Sequence, residues 1–427
     1  MKVATSPFPR ILTLLCALAA PLGLAAAGER QLYSITGVGT LGGSFSETVG
    51  INNHGSASGT SLLPGDVVRH GFFWREGVTT DLGTLGGPNS FAPEEWSPNE
   101  RDEVAGFSDT ATLDPNAENF CGFLGFNTSP YICRPFVWRK GVLTELPTLG
   151  GNNAAAVAIN NRGQLTGVSE TTDSASNCSP ISPSQLFQLF AVTWEPTKGE
   201  IKKLPPLPGD TLSNATGIND GGLVVGTSGN CVLGPIEAVL WRDGTPINLG
   251  SFGGAVFNIA FGINNRGQVV GESDLPGDIA HHAFLWENGV MTDLGSILGL
   301  PNSLAASINN QGKVVGFSQE LDSSNTIAWI WQDGMMTDLN TLIPADSPWF
   351  IIEALGINGR GQIVGYAFNA STGDVQGVIL TPVENSESNA PTAPSAASKE
   401  PPVLPEKVRQ MLKRRAGARL HWPSPPN

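Results

Sequence analysis

Ile263-Asn264-Asn265-Arg266-Gly267-Gln268-Val269-Val270-Gly271 is the stretch that decides how this chain folds. Read locally, it is a hairpin. Asn-Asn-x-Gly supplies local side-chain hydrogen bonds and a residue free to take positive φ, and Gln-Val-Val-Gly resumes as a strand. The phrase recurs, beginning at Ile51, Pro98, Ile159, Ile218, Ile263, Ile308 and Ile357, with spacings of 47, 61, 59, 45, 45 and 49 residues. The copy at Pro98 is worn, but Asn99, Val104 and Gly106 keep its register.

Two further phrases follow each copy. One is an apolar run ending in Trp and then a Gly turn, at Trp74, Trp138, Trp194, Trp241, Trp286 and Trp331, with Leu380 in the seventh place. Fixed phase marks these tryptophans as core residues between units. The other is typified by Thr80-Asp81-Leu82-Gly83-Thr84-Leu85-Gly86-Gly87. Each unit therefore holds four strand-sized segments punctuated by Gly, Asn and Asp. Four strands at a period of roughly 45 to 60 residues predict an all-β, seven-bladed propeller. The seventh copy stops after its third segment, while Thr36 to Gly43 matches Thr80 to Gly87 position by position. The N-terminal segment is thus expected to close the last blade, pairing Tyr33–Thr40 with 377–381. Closure removes an exposed sheet edge.

The ends read differently. Lys2 and Arg10, the apolar run Ile11 to Leu24 and Ala25-Ala26-Ala27 form a secretory signal over residues 1–27. The propeller then occupies 28–382, a Pro/Ala/Ser-rich linker 383–404, and a basic tail with room for one short helix 405–427. No later segment is long and apolar enough to span a bilayer. The protein is expected outside the cell, or in a periplasm before export. Net charge is −14, and the tail from Val383 carries seven Lys/Arg against four Asp/Glu, so residues 28–382 carry −19. That field repels polyanions and argues against nucleic acid.

Four cysteines follow the signal: Cys121, Cys133, Cys178 and Cys231. An even number in an exported chain suggests disulfides. All four fall between second and third strands. Pairing Cys121 with Cys133 within one unit, and Cys178 with Cys231 between neighbours, needs the least reach. Zinc lacks the usual ligand spacing.

No constellation for catalysis emerges. The fourth-segment position holds Asp81, Glu145, Asp293 and Asp338, but also Lys203 and Asn248, as a water-facing outer strand would. Leu-Pro-Gly-Asp at Leu63, Leu207 and Leu275 is first a type II turn. Beside Asp274, Asp278 offers a second carboxylate for weak Ca²⁺ binding, the one cofactor considered. His281-His282 has no repeated acid partner, and His70 and Arg134 occupy the same place elsewhere, so no triad can be argued. Trp96 and Trp349, off the pattern, could stack a sugar but also suit a core or rim.

The phrases resemble the HAF-type extracellular repeat family of bacteria. "HHAFLWENGVMTDLG", His281 to Gly295, is close to its signature, and "INNRGQVVG" accompanies it. The resemblance spans roughly residues 31 to 382 and implies export and a repeat architecture, but no reaction.

In a four-stranded blade, the 2–3 loops and the connections to the next blade share one face. The insertions Ser108 to Arg134, Ser169 to Leu189, Thr227 to Glu237 and Ser318 to Thr326 all fall there, so function is expected on that face. The expected function is a monomeric, secreted binding or scaffolding propeller holding a protein or polysaccharide at the cell surface. The alternative is a carbohydrate-active hydrolase or lyase. It would need unrepeated carboxylates converging at the channel entrance. The small, neutral run Asn153 to Ala158 on an inner strand favours binding.

Overall fold

The computed structural model describes residues 1, 32–93, 97–124, 129–175, 187–230, 235–321, 325–383, 404–406, 408–410 and 412–413. The signal segment lies outside these residues. Seven four-stranded antiparallel sheets form a propeller. Blade 1 runs Ser46–Ile51, Ala57–Leu62, Arg69–Arg75 and Val78–Asp81, and blade 5 runs Asn258–Ile263, Val269–Asp274, His281–Glu287 and Val290–Gly295. Blade 7 takes Trp349–Ile357, Ile363–Asn369 and Val375–Pro382 from one end of the chain and Tyr33–Gly37 from the other. Tyr33 faces Pro382 and Gly37 faces Val378, so the predicted closure holds in register.

First strands of neighbouring blades contact one another, which places them around the channel. Fourth strands are the exposed perimeter: in blade 1 only Thr79 of Val78–Asp81 is even partly covered. The core lies between blades. Trp194 and Trp241 are buried completely and Trp138 and Trp286 almost so, whereas Trp74 and Trp331 are half-buried at the edges of their clusters. In blade 6 the fully buried tryptophan is Trp329. Leu380 is fully buried in the place the tryptophan holds elsewhere.

The glycine of Val-Val-Gly is a packing requirement. In blade 5 it sits beside a bulge in the first strand, between Ala260 and Gly262. A Cβ on Gly271 would lie 1.9 Å from the Ile259 carbonyl oxygen, and on Gly316 1.9 Å from that of Leu304. No side chain fits at that separation. The large side chain opposite, Phe284 or Trp329, fills the space left free.

The asparagines of the repeat close the ring. Asn264 Oδ1 accepts from the Arg266 and Gln268 amides, both at 3.0 Å, folding the turn. Its Nδ2 donates to Gln268 Oε1 at 2.7 Å and to the main-chain oxygen of Asn309 in the next blade at 3.0 Å. All four of its hydrogen-bonding capacities are used. The same inter-blade bond joins Asn52 to Asn99, Asn99 to Asn160, Asn160 to Asn219, Asn219 to Asn264, Asn309 to Asn358 and Asn358 to Asn52. The worn copy takes part fully, with Asp102 adopting the positive φ (58°) that Gly holds elsewhere.

A second series of six links joins the next residue of each turn, open between blades 6 and 7 where Gly359 has no side-chain oxygen. The amides of Asn53, Glu100, Asn161, Asp220 and Asn265 each donate to the side-chain oxygen of the next blade's equivalent residue. Gly359 donates to Asn53 Oδ1 at 2.7 Å. Asn, Asp and Glu interchange here because only an oxygen is required. Within these links the channel end encloses about 100 Å³.

Candidate functional site

The inter-blade bonds engage the asparagines of the short-turn face, and the long insertions stand on the other face. Its tallest feature comes from blades 2 and 3. Their second and third strands, Val104–Leu113 with Tyr131–Arg139 and Leu165–Ser174 with Phe187–Glu195, hold nine or ten residues each. The second strand of blade 1 has six, so at ~3.3 Å per residue these hairpins project roughly 13 Å further. A disulfide joins Cys121, in the short helix Phe120–Leu124, to Cys133 and is completely buried. The predicted first pairing is present. Cys178 and Cys231 lie outside the described residues.

Beside that disulfide is a carboxylate cluster that the repeat pattern could not reveal. Asn153 Oδ1 accepts from the Cys133 amide at 2.8 Å. Asn153 Nδ2 is within 2.8 Å of Asp114 Oδ2, 3.2 Å of Glu118 Oε2 and 3.3 Å of Glu170 Oε1. All four residues are buried. Nearby Asp109 accepts from Ser129 Oγ and from Asn89, and burial raises its carboxyl above the ordinary range despite those bonds. Asn153 opens the run read as small and neutral. Two first strands elsewhere carry buried acids, Glu47 in blade 1 and Glu353 in blade 7. Asp114 and Glu118 lie in an insertion and have no repeat mates, whereas Glu170 shares its repeat position with Asp109 and Asp274, each accepting an amide from the incoming first strand.

The recurring fourth-strand acids divide. Asp81 takes His70 Nδ1 at 2.8 Å and Asp293 takes His282 Nδ1 at 3.0 Å, while Arg134 lies 3.5 Å from Glu145. Asn248 donates to Glu237, and the Lys203 ammonium covers the Phe190 ring at 3.1 Å. These are cross-strand pairs with the residue preceding the Ala-Phe-Leu-Trp phrase. His70 and His282 therefore do share a repeated acid partner, contrary to the sequence expectation, while Phe190 makes the position apolar in blade 3. Burial pushes the Asp81 carboxyl up, but the His70 and Gly83 hydrogen bonds hold it below its ordinary range. Asp338 departs from the water-facing expectation. It is buried, accepts from the Asn340 amide at 2.8 Å and caps the 3-10 turn Leu339–Thr341, because the chain here turns inward before blade 7.

At Leu275-Pro276-Gly277-Asp278, the Asp278 amide donates to the Leu275 oxygen at 3.0 Å and Gly277 has φ 95°, a turn as expected. Asp278 Oδ1 accepts from the Ala255 amide and Asp274 Oδ2 from that of Phe257, so each carboxylate serves the incoming connection. Burial, reinforced by the charge of Asp278, pushes Asp274 up to about 6. His281 Nε2 lies 3.2 Å from Glu272 Oε2, both nearly buried. Trp349 opens the first strand of blade 7 and is half-buried at the edge of the cluster between blades 6 and 7. Trp96 lies outside the described residues. Among the described residues, no group of three His, Cys, Asp or Glu is arranged to hold a metal ion.

The channel mouth on this face is apolar and occupied. Residues 406, 408–410 and 412–413 are helical, and Leu404, Val408 and Leu412 are buried in one cluster with Phe45, Leu304, Phe350 and Phe368. Val49, Ala306 and Leu355 belong to that cluster and also line the cavity at the opposite end. One apolar cluster therefore runs from the tail to the lining of that cavity on the side of blades 6, 7 and 1.

The fold and its closure define a seven-bladed β-propeller. No family model matches the sequence, and no curated protein does. Among solved structures, the propeller domain of the Trilobed protease from Pyrococcus furiosus is 11% identical, with a TM-score of 0.47 over 80% of this chain and 96% of that one. Oligogalacturonate lyase from Vibrio parahaemolyticus is 10% identical, TM-score 0.47, over 83% and 94%. An acylaminoacyl peptidase from Pyrococcus horikoshii is 12% identical, TM-score 0.45, over 78% of this chain and 52% of its own, so the chain spans about half of that enzyme's length. These likenesses concern the fold alone. No described helix is long and apolar enough to cross a membrane.

Proposed function

We propose that this chain is an exported, monomeric binding propeller of the HAF-like kind, holding a protein or polysaccharide at the cell surface by its loop-rich face. The observation that carries the reading is the pair of hairpins raised by blades 2 and 3, one stapled by Cys121–Cys133, beside an apolar channel mouth. A rigid wall next to a greasy depression suits recognition of a large partner. The buried disulfide and the absence of a membrane-crossing helix among the described residues are compatible with export.

The test is capture of cell-surface proteins and a glycan array by the exported full-length chain. A variant whose residues 110–131 are shortened to the Leu-Pro-Gly-Asp turn of blade 1 is run in parallel. Retention by the parent and loss in the variant support the reading. No retained partner, or one indifferent to the hairpin, sinks it.

A glycan-cleaving reading draws on the convergence of Asp114, Glu118 and Glu170. Their burial and shared Asn153 favour a structural role, since a glycosidase pair must reach substrate. Release of reducing sugar that stops in Glu118→Gln would favour cleavage.

A further inference from the structure

We propose that the loop-face mouth of the channel is a helix-binding cup, and that residues 404–413 of the same chain are its resident, exchangeable occupant. The inference rests on the binding reading above and names what the mouth recognises.

The tail has the pattern such a seat requires. Leu404, Val408 and Leu412 recur every four residues and so form one stripe on a helix. All three are buried, whereas Glu406, Gln410 and Lys413 are exposed. The Arg409 amide donates to the Pro405 oxygen at 3.0 Å, and Glu406 bridges Arg409 and Gln410 along the outer side. An apolar stripe with polar residues opposite is the pattern of a helix laid in a groove.

The cup is asymmetric in a way that the repeat does not dictate. One residue before the Gly-paired position of the first strand stands Ala155 in blade 3 and Asn214 in blade 4. The equivalent residue is Ile259 in blade 5, Leu304 in blade 6, Phe91 in blade 2, and Glu353 and Glu47 in blades 7 and 1. Blade 7 adds Phe350 and Phe368, and the connection into blade 1 adds Phe45. Of the first-strand residues at that equivalent position only Leu304 joins the cluster that holds the tail, and the buried members of that cluster come from the tail itself and from blades 6, 7 and 1 with their connections.

Reach and charge agree. Twenty residues separate Val383 from Leu404, enough for up to ~70 Å of extended chain. Tethering raises the helix's local concentration to roughly millimolar, so weak docking suffices. A helix this short is marginal alone, which makes the docking reversible. The segment from Val383 carries +3 and residues 28–382 carry −19, so attraction favours return.

The test uses the full-length chain, a release variant, Val408→Asp with Leu412→Asp, and a fluorescent peptide of residues 402–416. In the parent, amides 408–413 should exchange at least about tenfold slower than random coil, and the peptide should bind poorly. In the release variant that protection should vanish, and the peptide should bind at least about tenfold tighter than to the parent. Random-coil exchange in the parent overturns the proposal, as does equal or absent binding of the peptide by both chains. A dimer that exchanges tails between copies overturns the assignment to the same chain. Should the variant lose its β-sheet spectrum, exchange in the unaltered parent decides. A peptide that fails while the surface partner is still captured removes the cup and leaves the binding function. A bound peptide with no captured partner does the reverse.

Discussion

Asn358 Nδ2 donates to the main-chain oxygen of Asn52 at 2.8 Å, across 306 residues of sequence. It is the bond that makes a circle of seven otherwise local links, and it acts beside the strand exchange of Tyr33–Gly37 with Val375–Pro382. Two independent devices therefore join the seventh blade to the first.

Replacing that asparagine tests the second device. Asn358→Ala leaves the amides of Arg360 and Gln362 without their acceptor and removes the inter-blade donor to the Asn52 oxygen, which keeps only the Gly55 amide. Each buried group left unmatched costs about 1–3 kcal/mol. Asn358→Asp retains the acceptor but sets oxygen against oxygen, so it should lose comparable stability. Urea titration of both variants checks this. An unchanged midpoint in Asn358→Ala would show the ring to be incidental.

The two kinds of glycine should behave differently. Gly316→Ala places a methyl 1.9 Å from the Leu304 oxygen and is expected to abolish soluble expression. Gly334→Ala meets nothing within 4 Å and bears only the strain of φ 80°, about 1–2 kcal/mol. Comparing soluble yield and melting of the two separates packing from backbone conformation.

Cys121 and Cys133 close a loop of sequence separation 12. Cys121→Ser with Cys133→Ser should lower stability by about 3 kcal/mol on the chain-entropy estimate. It also loosens the seat of Asn153, whose Oδ1 takes the Cys133 amide. Thermal unfolding of parent and variant measures the loss. Non-reducing peptide mapping should also recover Cys178 linked to Cys231, and a Cys178 peptide joined to anything else would refute that pairing.

Asp274 gives a pH signature. Its folded-state pKa of about 6 stands above the ordinary 3.8, so protonation favours the folded form. That contribution is complete below about pH 3.8 and is lost as pH rises through 6. Asp274→Asn cannot ionise and can still accept from the Phe257 amide. The melting temperature of the variant relative to parent should therefore rise between pH 4 and pH 7. A constant difference would contradict the burial argument.

What recurs was legible in the sequence, and what occurs once was not. Seven copies made strand count, hairpin position and ring closure readable, because each copy repeats the same local physics. The asparagine was read as a turn residue, and its bond to the next blade was missed: a link to a main-chain oxygen leaves no partner residue to notice. Asp338 was read with its repeat mates, although a 3-10 turn peculiar to blade 6 buries it. Asp114 and Glu118 lie in an insertion without counterparts, and only folding brings them to Asn153 beside Glu170, whose repeat mates are Asp109 and Asp274. The tail helix is legible as a short basic segment, but its place on the mouth depends on Phe45 near one end of the chain meeting Leu304, Phe350 and Phe368 of blades 6 and 7.

The inner links run from a side chain to a backbone carbonyl, a group every residue possesses. A unit inserted by gene duplication would find a ready acceptor on either neighbour without compensating change there. Such modules are interchangeable at their junctions, which explains how the copy around Asn99 could drift so far from its siblings while its neighbours kept their own wording.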